Sequence, residues 1–237
     1  MNKILIITLL SIPAIALATN SGSFDIDIEK LPKRDGGIRV VPSNKMAILG
    51  ASFSKVAIAQ HQIKEKGYYD TYNSDAKVIM NMRNMKPIKE GTSDPKDTHL
   101  KSTIADVGLA FTFNGVPVDP KNVVGFAASG SYEKGWNGVT EIFTDPDLGS
   151  CQYSLNNIKL SHGSAFVPEE VARYDVNGKV TILDVRGNTK SGYTYKIYWA
   201  DATSMNDLIC ADMTFDKTKT EKLIDIAKKI DKSLVIN

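Results

Sequence analysis

Imidazole is the side chain whose ordinary pKa puts proton transfer within reach of neutral pH, and this chain has three histidines, His61, His99 and His162. None is paired at metal-ligand spacing, for there is no His-x-His and no His-Glu-x-x-His. His162 sits in Ser161-His162-Gly163-Ser164, where a base stands beside hydroxyls in a loop that follows a predicted strand. It is the candidate catalytic residue, against the rule that triad members are gathered from separate loops. His61 and His99 read as solvated or singly hydrogen-bonded. Nucleophile signatures are missing. Ser129 has Ala127 and Ser131 where a Gly-x-Ser-x-Gly elbow needs glycines. Ser-x-x-Lys occurs at Ser52 and Ser131 without the Ser-Asp-Asn and Lys-Thr-Gly that accompany it in acyl-enzyme sites.

Asp145-Pro146-Asp147-Leu148-Gly149-Ser150 is the one metal-like loop. Carboxylates at i and i+2 ahead of a glycine resemble the opening of oxygen-ligand calcium loops, which makes Asp145 and Asp147 the candidate metal ligands and calcium the candidate cofactor. No third Asp or Asn and no closing Glu follow at the required distance, and the same residues are good turn formers. Aromatic residues are the candidate binding groups. Tyr68, Tyr69 and Tyr72 cluster between two predicted helices, and Tyr132 and Trp136 precede an Asn-Gly pair. Exposed rings of this kind stack on sugars or anchor a protein partner, and buried ones close the edge of a core.

The two cysteines, Cys151 and Cys210, each lie in a run that reads as a strand. An oxidising compartment would pair them, closing a loop of about 60 residues. That compartment is indicated by residues 1–18, which read as a cleavable signal peptide. Lys3 is its positive end, Ile4 to Leu10 is apolar apart from Thr8, and Ala16-Leu17-Ala18 supplies small residues for cleavage before Thr19 or, second, before Leu17. The whole chain carries a net charge of +2, and loss of Lys3 leaves +1. A balance so close to zero, with no long Lys/Arg run, argues against nucleic acid as the partner. No later stretch is apolar long enough to span a bilayer.

The elements that must position these residues follow from periodicity. Residues 19–45 read as an N-terminal arm, with strands at Phe24 to Ile28 and Ile38 to Val41, ahead of a single domain over 46–237. Phe53, Val56, Ala57, Gln60 and Ile63 fall at helical spacing up to a left-handed cap at Gly67. A second short helix follows Ser74, with Val78, Ile79, Met82 and Met85 on one face, and stops at Pro87. Asn114-Gly115, Asn137-Gly138 and Asn177-Gly178 are predicted hairpin turns, and a fourth hairpin turns at Gly187 to Gly192. Its second strand sets Tyr193, Tyr195, Ile197 and Trp199 on one face. Thr218 to Glu221 reads as a capping box ahead of a C-terminal helix that buries Leu223, Ile226, Ala227 and Ile230.

The expected class is therefore α+β: a mostly antiparallel sheet of hairpins, two short N-terminal helices, and a C-terminal helix packed on the sheet. The expected function is an exported soluble binding or interaction protein, periplasmic or secreted, with a protein or carbohydrate partner. The alternatives are a secreted hydrolase built from scattered residues such as His162, Asp145 and Asp147, and a structural subunit of an envelope assembly whose sheet edge accepts a strand.

Overall fold

Asn177-Gly178 turns as its residue types require, both with positive φ, at 47° and 77°. It joins the first two strands of an antiparallel run in a computed structural model that describes residues 37–41, 58–59, 61–88, 96–161 and 164–234. The strands are β1 (Gly37–Val41), β2 (Tyr69–Asp70), β3 (Val123–Tyr132), β4 (Trp136–Asp145) and β5 (Gly149–Asn157). They continue with β6 (Ser164–Pro168), β7 (Arg173–Val176), β8 (Lys179–Asn188), β9 (Gly192–Ala200) and β10 (Ser204–Asp212). The helices are α1 (Ser74–Met82), α2 (Ile158–Ser161) and α3 (Lys217–Ser233).

Eight strands form one sheet in the order β2-β8-β9-β10-β5-β4-β3, with β7 beside β8, and β1 and β6 form a separate parallel pair. Only β2 runs parallel to its neighbour in the large sheet. The expected α+β class, antiparallel sheet and C-terminal helix are the observed ones. Cys151 and Cys210 face each other across β5 and β10 with their Cα atoms 4.1 Å apart, and they form the expected disulfide. No helix among the described residues is long and apolar enough to cross a membrane.

Alternation sends one set of side chains from every strand to the α3 face. Phe143, Tyr153, Leu155, Val185, Tyr195, Ile197 and Leu208 are fully buried there, joined by Leu223, Ala227 and Ile230 of α3. Each buried Leu or Ile removes enough apolar surface from water to contribute roughly 1.5–3 kcal/mol. Polar ties fix the angle of α3. Lys179 Nζ lies 2.6 Å from Asp201 and 2.7 Å from Asp231, and Asp231 also accepts from the Trp199 indole at 3.0 Å. Burial works to raise the Asp201 carboxyl, but bonds from Lys179, Thr203 and Ser204 outweigh it and hold the group at about 2.

The opposite, α1 face has two separate covers. At one end Ala76 and Ile79 of α1 pack on Ile209 and Ala211. At the other, Ile38 of β1 packs near Ile158, Ala200 and Met205. Asn73 anchors α1: its Oδ1 caps the Asp75 amide at 3.1 Å and its Nδ2 donates to Thr194 Oγ1 at 2.8 Å.

Several local expectations need correction. Asn137-Gly138 lies inside β4, where a Cβ on Gly138 would stand 2.4 Å from Asn156 Oδ1. The β3–β4 turn comes earlier, at Gly135 with φ 140°, and the Asn137 side chain instead accepts from the Ser131 amide at 2.7 Å. Asn114-Gly115 joins no strands; Gly115 has φ 86°, but Val116 is bonded to Glu141 and Pro117 offers no amide for a ladder. α1 ends at Met82, so Met85 lies beyond it, 46% exposed, and Val78 is 56% exposed because the sheet meets the helix at Ala76 and Ile79, with Met82 packed beside them. The cap of α3 is Asp216, which accepts from Thr218 N, two residues before the predicted capping box. Residues 61–66 are helical and end at Gly67 with φ 88°, whose amide bonds Ile63 O. Phe53, Val56, Ala57, Gln60 and the Phe24 to Ile28 strand lie outside the described residues, as does most of the arm. Its Ile38 to Val41 portion is within β1.

Candidate functional site

On β10 the side chains facing α1 run Met205, Asp207, Ile209. Met205 and Ile209 are buried under the two covers, and Asp207 falls between them, half-buried. The neighbouring strands repeat that band. Tyr198 of β9 is opposite Asp207, Asp207 is opposite Ser154 of β5, and Ser154 is opposite Thr140 of β4. All four are half-buried, as are Lys196 and Gln152. A polar row thus crosses four strands where both ends of the face are apolar.

Its bonding is dense but unfinished. Thr140 Oγ1 lies 3.0 Å from Ser154 Oγ, and Gln152 Nε2 donates to the same oxygen at 3.2 Å. Lys196 Nζ is 3.3 Å from Asp207 Oδ2 and 4.4 Å from the Tyr198 ring centroid. Asp184, opposite Lys196 on β8, is paired with Arg186. Among the described residues Asp207 Oδ1 has no hydrogen-bond partner, and it is closed to solvent. Burial raises the Asp207 carboxyl to about 6 against the opposing pull of Lys196, with Asp184 adding to the rise. Two acids and two bases leave the band neutral overall. It presents hydroxyls, an amide and an under-bonded carboxylate rather than a field of one sign.

None of the described residues singled out in the sequence belongs to this band. His162 is outside the described residues. In the β4–β5 turn, Asp145 Oδ1 accepts from the amides of Asp147 and Leu148, each at 2.9 Å, while Asp147 Oδ2 is 2.6 Å from Lys222 Nζ of α3. Both carboxylates are engaged in the turn and in docking α3, and among the described residues no group of three or more His, Cys, Asp or Glu side chains could hold a metal ion. Tyr68 packs edge-on against Tyr193 at 5.2 Å and against Phe215 at 4.7 Å, so it closes the core. Tyr69 is half-buried in β2, and Tyr72 is 68% exposed. Tyr132 and Trp136 form their own edge-on pair at 5.4 Å. That pair belongs to β3 and β4, at the edge of the sheet opposite β2, so the aromatic candidates form no single patch.

Two acids, Asp97 and Glu141, were not singled out in the sequence. Asp97 bonds His99 Nδ1 with one oxygen and Lys101 Nζ with the other; His99 is 70% exposed while Asp97 and Lys101 are buried. A carboxylate on Nδ1 orients a general base, but among the described residues no hydroxyl or thiol is bonded to His99 Nε2. Glu141 of β4 is fully buried on the α3 face. Its Oε2 accepts from the Val116 amide at 2.7 Å, and among the described residues its Oε1 has no partner. Burial pushes its carboxyl up to about 7 despite the Val116 bond. Both Glu141 and Asp207 interrupt apolar alternation, Val139-x-Glu141-x-Phe143 and Met205-x-Asp207-x-Ile209, and that was the available signal. No protein-family model, no curated protein and no solved structure matches this chain.

Proposed function

We propose that this chain is an exported binding protein that takes a carbohydrate across the polar band between α1 and the β1–β6 pair. The observation that carries this reading is Asp207, placed where alternation calls for an apolar residue and left with one oxygen unpartnered. A buried acceptor without a donor costs roughly 1–3 kcal/mol. Oδ1 is closed to solvent, so a ligand hydroxyl would displace a neighbouring side chain to reach it and recover that cost. Protein-binding hot spots centre on aromatic and Arg anchors in apolar pockets. This band instead centres on hydroxyl, amide and carboxylate groups with balanced charge, which suits a neutral polyhydroxylated ligand.

A panel of soluble oligosaccharides, titrated while amide chemical shifts are followed, tests the assignment. Shifts should concentrate at Ser154, Lys196, Tyr198 and Asp207. Changes confined to Tyr132 and Trp136, or none with any member of the panel, would contradict it.

Export rests on the leader-like residues 1–18 and is supported by the disulfide, since such bonds persist in oxidising compartments. N-terminal sequencing of the exported protein should read Thr19-Asn20-Ser21, or begin at Leu17 from the second cleavage site. An intact Met1 in the exported fraction would refute export by cleavage.

A further inference from the structure

Segment 108–119 crosses the α3 face without forming a strand. Ala110 N bonds Trp136 O and Trp136 N bonds Gly108 O, each at 2.9 Å, which fixes its first residues. Among the described residues, the bond from the Val116 amide to Glu141 is the one that ties residues 111–119 to the sheet. Phe113 and Val116 are buried in the α3-face core, where the Phe113 ring lies 6.0 Å from that of Tyr153. Gly115 takes φ 86°, a backbone conformation that favours glycine, and it lies beside Glu141: a Cβ there would make ordinary contact, at 3.5 Å, with Glu141 Oε2 and Ile104 Cδ1.

We infer that Glu141 is a proton-operated latch that holds residues 111–118 down when its carboxyl is neutral and releases them when it ionises. A neutral carboxyl tolerates apolar surroundings, but a buried carboxylate needs donors for both oxygens. Glu141 has one donor, and Oε1 has none. Water can supply the rest only if the segment lifts, because the side chain has no solvent exposure with the segment seated.

The groups facing Glu141 do not offset the charge. β5 presents Tyr153, held neutral by burial and by repulsion from Asp231 and Glu141. Asp231 of α3, which repels a charged Tyr153, is itself bonded to Lys179 and Trp199. β3 presents Phe126, the segment presents Gly115, and Ile104, ahead of the segment, packs beside Gly115. No cation is among them.

Amide hydrogen exchange on the whole wild-type protein, corrected for intrinsic rates, reads the latch directly. The Phe113 and Val116 amides should open more often than those of Leu208 and Cys210 in β10 at every pH. Their opening constant should rise about tenfold between pH 6 and pH 8, as linkage requires of a carboxyl displaced from 4.5 to about 7. E141Q should abolish the rise. Equal protection of the segment and β10 would overturn the latch, since no local release would then exist. A segment opening that ignores pH in the wild type would overturn it as well. The wild-type series decides both points even if the variant does not fold.

Discussion

Replacing Cys151 and Cys210 together by alanine is expected to cost about 4 kcal/mol of folding stability. The bridge joins residues 59 apart, and the chain-entropy argument assigns a loop of that size roughly this much constraint on the unfolded chain. Both cysteines are fully buried at the centre of the α3-face core, so alanine also removes packed sulfur. For a chain of this length a 4 kcal/mol loss corresponds to a melting temperature lower by about 10 °C. Thermal melts of the oxidised protein and the double variant measure it, and thiol counting on denatured, unreduced protein should find no free cysteine. A shift under about 1 kcal/mol would mean that the bridge is not what constrains β5 against β10.

Glu141→Gln should have the opposite sign. The folded protein holds the Glu141 carboxyl at about 7 instead of 4.5, so the folded state binds this proton more tightly than the unfolded state. The resulting stability is fully present below about pH 4.5 and is lost as pH rises through about 7. At 1.36 kcal/mol per unit, the wild type loses about 3 kcal/mol from this group between pH 4 and pH 8. Gln cannot ionise. At pH 8 E141Q should therefore be more stable by about 3 kcal/mol, and at pH 4 the two should agree within about 1 kcal/mol. Denaturant midpoints at the two pH values give the comparison. A variant less stable than the wild type at pH 8 would show that the carboxylate finds donors in the fold.

Much of the sheet was legible because its information is local. Asn177-Gly178 specifies a turn by the sign of two φ angles, and Tyr193 to Trp199 alternate without interruption, so strand, turn and buried face follow from adjacent residues. Asn137-Gly138 misled for the same reason. The pair favours a turn, but packing of Gly138 against Asn156 and Ser129, eighteen and nine residues away in sequence, keeps it within β4. The α1 face was half legible: Ile79 and Met82 pack on the sheet as their spacing suggests, but Ala76 takes the place expected of Val78, and the helix ends before Met85, neither of which apolar spacing alone specifies. The site was hidden differently. Catalytic types, His162 and the Asp145–Asp147 pair, drew attention by identity, whereas Asp207 and Glu141 matter by position. A lone acid in an apolar phase was visible in the sequence. Its meaning depended on which face was covered, and that required α1, β1 and β6 to be placed.

The most direct test of the polar band compares two substitutions that remove the same charge in the same way. Asp207→Asn alters the unpartnered acceptor in the band, and Asp147→Asn alters an exposed acid paired with Lys222 in the β4–β5 turn. With whichever oligosaccharide shifts the β5, β9 and β10 amides, isothermal titration should show Asp207→Asn weakening binding at least about tenfold, the loss expected of about 1.4 kcal/mol in one charge-assisted hydrogen bond. Asp147→Asn should bind as the wild type does. Equal affinity of all three proteins, or loss confined to Asp147→Asn, would place the ligand elsewhere and contradict the account.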